Sequence, residues 1–338
     1  MNAVNPARRA CITGGAGFIG SNLAERLIEG GSEVVVVDDF RTGKHRFLES
    51  IQDHPRFSLL AGDVLDPDVL KTAFAGCDWV FHLQANADVR HGFEHPRLDL
   101  DQNTTATSQV LEAMRTTGVQ RILFASSGSV YGEPQVFPTP EDAPFPQQTS
   151  FYGASKLAGE ALIAAYSTAF GMTGVICRFV SILGERYTHG HVVDFYRALK
   201  RHPTHLTVLG DGRQEKSYLY VQDCIDAMLA VASRHGHEAG TYVYNLGTDE
   251  TIFVDESVEI ISSHLGATPE IVHTGGIRGW IGDSPQIHLD TARIRNLGWS
   301  PKVTIRQAIE LTLDWLDANE YAWRDGGVAP QGERGSRR

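Results

Sequence analysis

The sequence predicts an α/β protein built on a doubly wound parallel sheet, with a smaller α/β domain toward its C-terminus. Three observations predict it. Short apolar runs alternate with stretches of helical spacing through the first half of the chain. One of those runs, Glu33–Val37 (EVVVV), is β-branched through four successive residues, the pattern of a strand covered on both faces. A glycine-rich turn separates the first strand pattern from the first helix pattern. Alternation of this kind implies right-handed βαβ units.

In chain order, Arg9–Thr13 is a short apolar strand, and Phe18–Glu29 places Ile19, Leu23, Leu27 and Ile28 on one helical stripe. After Glu33–Val37, strand patterns recur at Phe57–Ala61, Trp79–Leu83 and Arg121–Ala125. Helical stretches at Pro67–Ala75 and Asp101–Thr117 lie between them. A long helix runs from Tyr152 to Phe170, and a strand follows at Thr173–Phe179. Beyond Gly184 the pattern loosens. A helix at Val192–Lys200 and short strands at Leu206–Leu209 and Thr241–Asn245 lead to helices near Asp255–Leu265 and Ile305–Asn319. The expected division is a dinucleotide-binding unit over 8–184, to which later segments return, and a cap over 185–322. The Gly-, Arg- and Pro-rich stretch 324–338 reads as a disordered tail.

Composition excludes several classes. Hydrophobic residues make up 42% and charged residues 21%, the balance of a globular protein. A formal charge of -11 argues against nucleic-acid binding. No apolar run approaches membrane-spanning length, and the first residues lack a signal-peptide pattern, so a cytoplasmic location is expected. Cys11, Cys77, Cys177 and Cys224 are widely spaced and form no metal-ligand cluster. They read as reduced thiols.

The turn Gly14-x-x-Gly17-x-x-Gly20 follows a strand and opens a helix, which is the context a dinucleotide site requires. Gly14 permits the tight turn, Gly17 lets the backbone approach a pyrophosphate, and Gly20 lets the helix pack on the sheet. The helix N-terminus offers amides to the phosphates. Asp38 ends the second strand, where a carboxylate accepts ribose hydroxyls and repels the 2′-phosphate of NADP. Arg41 and Lys44 stand nearby and could serve that phosphate; the acid favours NAD. Asp63, in Gly62-Asp63-Val64, is either an adenine contact or a helix-capping acid.

Tyr152 and Lys156 are four residues apart at the start of a helix and share one face. A free tyrosine, with a pKa near 10, is a poor base at neutral pH. A neighbouring ammonium and the positive nicotinamide of NAD favour its phenolate, which can then take a proton from a substrate hydroxyl. Ser127 follows the Ile122–Ser126 strand and should face the cofactor crevice. A tyrosine–lysine pair alone is more often surface chemistry. Downstream of this glycine turn and a strand ending in serine, it reads as catalytic.

Together TGGAGFIG, Asp38, GDV, His82-Leu-Gln-Ala, SSGSVYGEP and YGASK resemble the extended short-chain dehydrogenase/reductase superfamily. Within it, the chain is most similar to the NAD-dependent nucleotide-sugar epimerase/dehydratase family, in particular to its UDP-glucose 4-epimerase-like members. The resemblance spans about residues 9–320. It implies a Rossmann-type domain with tightly held NAD, a nucleotide-diphosphate sugar in the C-terminal cleft, and Ser127, Tyr152 and Lys156 as the catalytic set. It implies cofactor contacts from Gly14, Gly17, Phe18, Ile19, Gly20, Asp38, Asp39, Phe40, Thr42, Gly43, Asp63, Val64, Leu83, Gln84, Ala85, Asn103, Ala125, Tyr152, Lys156 and Phe179. Substrate contacts are expected from Ala87, Ser127, Ser181, His191, Val192, Lys216, Arg278 and Asp283. A homodimer through the 101–117 and 152–170 helices is also implied.

After C4 oxidation the family offers several outcomes. Dehydratases that resemble this chain carry an Asp-Glu pair directly after the catalytic Ser or Thr; Gly128 and Ser129 stand there. Similar decarboxylases carry a Glu in the same segment, where Ser129 again stands. That favours 4-epimerisation, with release of a keto sugar or an elimination as alternatives. A non-catalytic NAD-binding regulator would not need Ser127, Tyr152 and Lys156, and all three are present.

The substrate end departs from the family pattern. Ser181 replaces an Asn, and Lys216 a diphosphate-binding Arg. Lys216 brings a point charge without the bidentate fork. Trp280 occupies the place of a late Arg, with Arg278 displaced by two positions, and Gln84 replaces a small residue. His189 and His191 read as phosphate or base ligands, or as loop and capping residues; no third ligand nearby suggests a metal.

Overall fold

The computed structural model describes residues 6–145, 147–236 and 238–324. Its centre is a sheet of seven parallel strands: β1 (Arg9–Thr13), β2 (Glu33–Asp38), β3 (Phe57–Ala61), β4 (Trp79–His82), β5 (Arg121–Ser127), β6 (Thr173–Phe179) and an edge strand, Gly240–Leu246. The spatial order is Gly240–Leu246, β6, β5, β4, β1, β2, β3. The chain winds outward from β1 to β3, then from β4 the other way. The winding therefore reverses between β1 and β4, where a crevice opens at the carboxyl ends of the strands.

Burial explains the apolar runs. Every residue of β4 and β6, and all of β2 after Glu33, is buried. β3 is the exception. It lies at the sheet's edge, and every one of its residues is exposed or half-buried.

One face of the sheet is covered by the helices Phe18–Glu29 and Val221–Arg234, whose Leu23, Leu27, Ile225 and Met228 share a core with Ile12, Val36 and Phe81. The helices Pro67–Phe74, Ala106–Thr117 and Phe151–Phe170 cover the other, through Leu70, Phe74, Val110, Met114 and Ile163. Burying each such side chain contributes about 1.5–3 kcal/mol.

A third core joins the helices His191–Arg201, Val254–Leu265 and Ile305–Ala318 through Val192, Tyr196, Ile261 and Ile309. Small sheets brace this cap: Ser181–Leu183 with Tyr218–Tyr220, Glu215–Lys216 with Ile252–Phe253 and Gln286–Ile287, and His205–Val208 with Glu270–His273.

Three expectations need correction. The helix Val221–Arg234 is absent from the elements read above, although Val221, Ile225, Met228 and Ala232 recur at helical spacing with Gln222, Asp226 and Ser233 on the other side. The expected Asp101–Thr117 helix begins instead with a π-helical turn, Leu100–Thr105. Arg324, placed in the tail, closes a short helix, Tyr321–Arg324, and pairs with Glu320 at 2.9 Å. The rest of the expected tail lies outside the described residues. Gly240–Leu246, although late in the chain, completes the main sheet.

Candidate active site

The glycine turn is shaped by backbone contact. Gly14 has φ +72° and donates its amide to the Val37 carbonyl at 2.8 Å. A Cβ there would lie 2.8 Å from the Gln84 backbone. A Cβ on Gly20 would collide with the Gly14 carbonyl oxygen, so the helix could not sit where it does. Gly17 is the N-cap of the Phe18–Glu29 helix and no side chain caps it, which leaves that helix end facing the crevice; Phe18 and Ile19 are half-buried beside it. This is a cradle for a pyrophosphate with no space for a side chain, and a dinucleotide fits it.

Asp38 anchors the next part. Its carboxylate is 7% exposed and accepts from the Ala16 amide at 2.9 Å and the Phe40 amide at 2.8 Å. Burial raises its pKa, against the pull of those two amides. It thereby ties the glycine turn to the loop after β2. There Phe40 has φ +58° and stacks on His45 with ring centroids 3.7 Å apart. A Cβ on Gly43 would lie 2.6 Å from the Asp38 carboxylate, and Thr42 is exposed. Arg41 is engaged by Asp39 at 3.0 Å and Asp63 at 3.6 Å. Its charge is therefore shared by two carboxylates rather than offered to a 2′-phosphate. Asp63 also accepts from the Leu65 amide at 2.9 Å, while the Val64 side chain is buried in the core.

Across the crevice, the Leu83 amide donates to the Thr13 carbonyl at 3.1 Å. His82 is fully buried between Thr13 Oγ1 at 2.7 Å and Thr107 Oγ1 at 3.1 Å. Burial, then the Lys156 charge, push its pKa down to about 3, so it is neutral. Gln84 donates to Gln102 at 2.6 Å, and its Oε1 is buried without a partner among the described residues. Ala85 is half-buried and Ala87 exposed. Asn103, on the π-helical turn, accepts the Asn86 amide at 2.8 Å.

The Ser–Tyr–Lys set is brought together. Ser127 ends β5 and Tyr152 opens the Phe151–Phe170 helix, whose N-cap Ser150 accepts from the Gly153 amide at 3.0 Å. The Ser127 hydroxyl lies 3.2 Å from that of Ser129 and close enough to the Tyr152 phenol to lower its pKa. Lys156 is 2% exposed, donates to the Ala125 carbonyl at 2.8 Å and sits 5.8 Å from the Tyr152 ring centre. Burial lowers the Lys156 pKa to about 7, although Asp99 and Glu160 oppose the shift. Burial raises Tyr152 to about 12. Tyr152 is thus a phenol at neutral pH, and it becomes a base only when a positive charge comes to lie beside it. The sequence alone credits the lysine with more of that shift than its position on the Ala125 carbonyl delivers.

Behind this set, Arg178 pairs with Glu160 at 2.7 Å with both side chains buried, and Arg178 also donates to the Tyr131 hydroxyl at 2.7 Å. Phe179, 8% exposed, ends β6 beside them. Sequence reading missed Asp99, Asn86 and Ser155, which join Asn103 in a buried cluster. The spacing of Asp99 and Asn103, one helical turn apart, was the available signal.

At the cap end the substrate candidates pair mainly with one another. Lys216, buried, donates to Asp283 at 2.8 Å and to the Ser284 carbonyl. Asp283, 4% exposed, also accepts the Gly279 amide at 3.0 Å. Arg278 pairs with Glu133 at 2.6 Å and donates to the Asp283 carbonyl at 2.7 Å. His191 opens the His191–Arg201 helix beside the buried Val192. Its Nδ1 is 3.1 Å from the Tyr218 hydroxyl, and its Nε2 is buried without a partner among the described residues. Burial, then the Lys216 charge, lower its pKa to about 3. Ser181 is exposed at the start of its strand. Among the described residues no group of three His, Cys, Asp or Glu side chains could hold a metal.

A family model, described as the NAD dependent epimerase/dehydratase family, matches residues 10–247. The chain belongs to this family. NAD is accordingly its cofactor, and the cradle described above fits that group. A putative UDP-glucose 4-epimerase from Methanocaldococcus jannaschii is 31% identical over 314 residues, covering 91% of this chain and 98% of that protein. A solved UDP-galactose 4-epimerase superposes with a TM-score of 0.82 at 37% identity, covering 92% of this chain and 99% of that one. Other chemistry is represented among the relatives. A dTDP-glucose 4,6-dehydratase from Streptomyces venezuelae, solved with NAD, has a TM-score of 0.85 at 25% identity over 94% of this chain and 99% of that one.

Proposed function

We propose that this enzyme is a nucleotide-sugar 4-epimerase that oxidises C4 transiently to a 4-keto sugar and reduces it again from the other face. One observation carries this choice within the family. Directly after Ser127 the chain places Gly128, buried, and Ser129, whose hydroxyl hydrogen-bonds that of Ser127. Elimination of water needs an acid and a base at adjacent carbons, and neither residue is a carboxylate. Epimerisation needs only one proton-transfer group at C4 and space for the sugar to turn.

NAD, when bound, supplies the acceptor and donor of hydride. The residues do the rest. Tyr152 takes the proton of the C4 hydroxyl and later returns it. Ser127 donates to the same oxygen as it gains carbonyl character. Lys156 holds a positive charge under the reaction centre. Gly14, Gly17, Gly20 and Asp38 position the cofactor, with Phe18, Ile19, Asp39, Phe40, Thr42, Gly43, Asp63, Val64, Leu83, Gln84, Ala85, Asn103, Ala125 and Phe179 lining its site. The cap over 185–322, apart from the segments that return to the sheet, takes the nucleotide through Lys216, Asp283, Arg278, His191, Val192 and Ser181, with Ala87 at the mouth. The departures at Lys216 and Trp280 favour a nucleotide or sugar other than the family's usual pair.

Incubation with UDP-, GDP-, dTDP- and CDP-sugars, followed by mass spectrometry and NMR, tests this reading. An unchanged mass with an inverted C4 signal is the expected result. Loss of one water would make the enzyme a dehydratase and overturn it. We also infer a homodimer through the 101–117 and 152–170 helices, where Phe170 and, just before the first helix, Leu100 are about half exposed. A monomeric mass in sedimentation would refute that. Four free, buried thiols suit the cytoplasm, which cell fractionation checks. Among the described residues no helix is long and apolar enough to cross a membrane.

A further inference from the structure

Asp99 is a buried carboxylate that the proposed chemistry does not use. It is 1% exposed, at the end of the short Pro96–Asp99 helix. Its Oδ1 accepts from Asn86 Nδ2 at 2.8 Å and Asn103 Nδ2 at 3.2 Å. Its Oδ2 has no hydrogen-bond donor among the described residues and lies against Gly92, where a Cβ would collide with it. A buried carboxylate with one bare oxygen is expensive to keep, and such groups concentrate where charge is put to use.

The surroundings of Asp99 lead to the catalytic helix. Asn103 Nδ2 also donates to Ser155 Oγ at 2.8 Å, and Ser155 Oγ donates to the Tyr152 carbonyl at 2.8 Å. Ser155 is the neighbour of Lys156. The π-helical turn Leu100–Thr105 packs directly on the Phe151–Phe170 helix and sets Asn103 between the two.

Lys156 needs a counter-charge. Its ammonium is 2% exposed, bonded to the Ala125 carbonyl and 4.8 Å from the Phe124 ring centre. From β4 it meets His82, which is neutral; from its own helix it meets Tyr152 and Glu160. Glu160 is already spent. Arg178 grips both its oxygens, at 3.0 and 2.7 Å, and Ser126 donates to one of them. Asp99 is the other acid beside Lys156, reached through Asn103 and Ser155, the residue next to the lysine. Burial raises its pKa, against the pull of Asn86, Asn103, Lys156 and His91, which faces it from the helix Val89–Glu94, and no cation hydrogen-bonds it among the described residues.

We propose that Asp99, its carboxylate held by Asn86 and Asn103, is the counter-charge of Lys156, a positioning residue that keeps the lysine an ammonium in its buried site. It rests on the reading of Tyr152 and Lys156 as the working pair. Its test does not depend on which sugar reaction follows.

The chain has six lysines, so the Lys156 side chain can be followed by NMR of the NAD-loaded enzyme labelled at the lysine ε-carbon. In Asp99→Asn, the Lys156 titration midpoint should fall by about one pH unit, a tenfold fall in the ammonium-to-amine ratio at fixed pH. Lys216 should keep its midpoint, and Ser155→Ala, which retains the carboxylate, should leave Lys156 unmoved. The alkaline limb of kcat/KM in Asp99→Asn should move down with Lys156. Should Asp99→Asn fail to fold, Lys156→Met provides the reciprocal measurement: the Asp99 carboxyl carbon should titrate about one unit higher once its cation is gone. An unmoved Lys156 midpoint in Asp99→Asn, or an unmoved Asp99 midpoint in Lys156→Met, overturns the proposal. So does lower activity with an unchanged pH profile, the signature of a purely structural role.

Discussion

The two ends of the cleft are built from different materials. At the cofactor end the chain binds itself through its backbone. The Gly14 amide meets the Val37 carbonyl, the Leu83 amide meets the Thr13 carbonyl, and Asp38 is held by two amides. At the cap end side chains hold one another: Lys216 to Asp283, Arg278 to Glu133, His191 to Tyr218, Arg90 to Asp194. A backbone-built site admits few sequences, because each glycine answers a steric limit. A side-chain site can be rebuilt by exchanging partners in pairs. Cofactor use can therefore stay fixed across a family while substrates diverge.

The contrast can be broken at several points. Gly20→Ala should have the largest effect: its new Cβ meets the Gly14 carbonyl, and the purified protein should contain no NAD. Normal NAD content, read from absorbance after denaturation, would show that the cradle yields. Tyr152→Phe should lower turnover by about 10²- to 10⁴-fold with NAD still bound. Near-native activity in that variant removes Tyr152 from the mechanism. Lys216→Met strands Asp283, 4% exposed, and should cost about 3–5 kcal/mol of stability in chemical denaturation. A loss below about 1 kcal/mol would mean that the pair behaves as an exposed one and that the cap is looser than described. The smallest effect belongs to Asp38→Ala, which should narrow the preference for NAD over NADP by about tenfold in the Kd ratio. An unchanged ratio would confine Asp38 to bracing the Ala16 and Phe40 amides.

The same contrast decides how much could be read from the sequence. Gly14, Gly17, Gly20 and Asp38 act within one βαβ unit, so their spacing along the chain is their spacing in the site. Tyr152 and Lys156 share a helical turn, and Ser127 ends a recognisable strand. All were legible. Asp99 was not, because only its spacing from Asn103 is local, while Asn86 and Ser155 come from two other segments. Nor could the Lys216–Asp283 pair be foreseen: the two are distant in sequence, and a lysine near an expected phosphate reads as its ligand until a buried acid is seen against it. The helix Val221–Arg234 was legible as well, from Val221, Ile225, Met228 and Ala232 set against Gln222, Asp226 and Ser233, yet it is missing from the elements read from the sequence.

The strand Gly240–Leu246 has a consequence for how the protein is made. It pairs with β6 along that strand's whole length, from Thr173 to Phe179. At about 5–20 residues per second, synthesis from Phe179 to Leu246 takes roughly 3–13 seconds. Until Gly240–Leu246 has docked, β6, wholly buried in the finished protein, has a bare edge of amides and carbonyls wherever it is outside the ribosome. A chain ended at Gly184 would carry that edge permanently and should collect in the insoluble fraction. The glycine turn, Ser127, Tyr152 and Lys156 all precede that strand in the chain, yet the sheet that carries them is completed only by it.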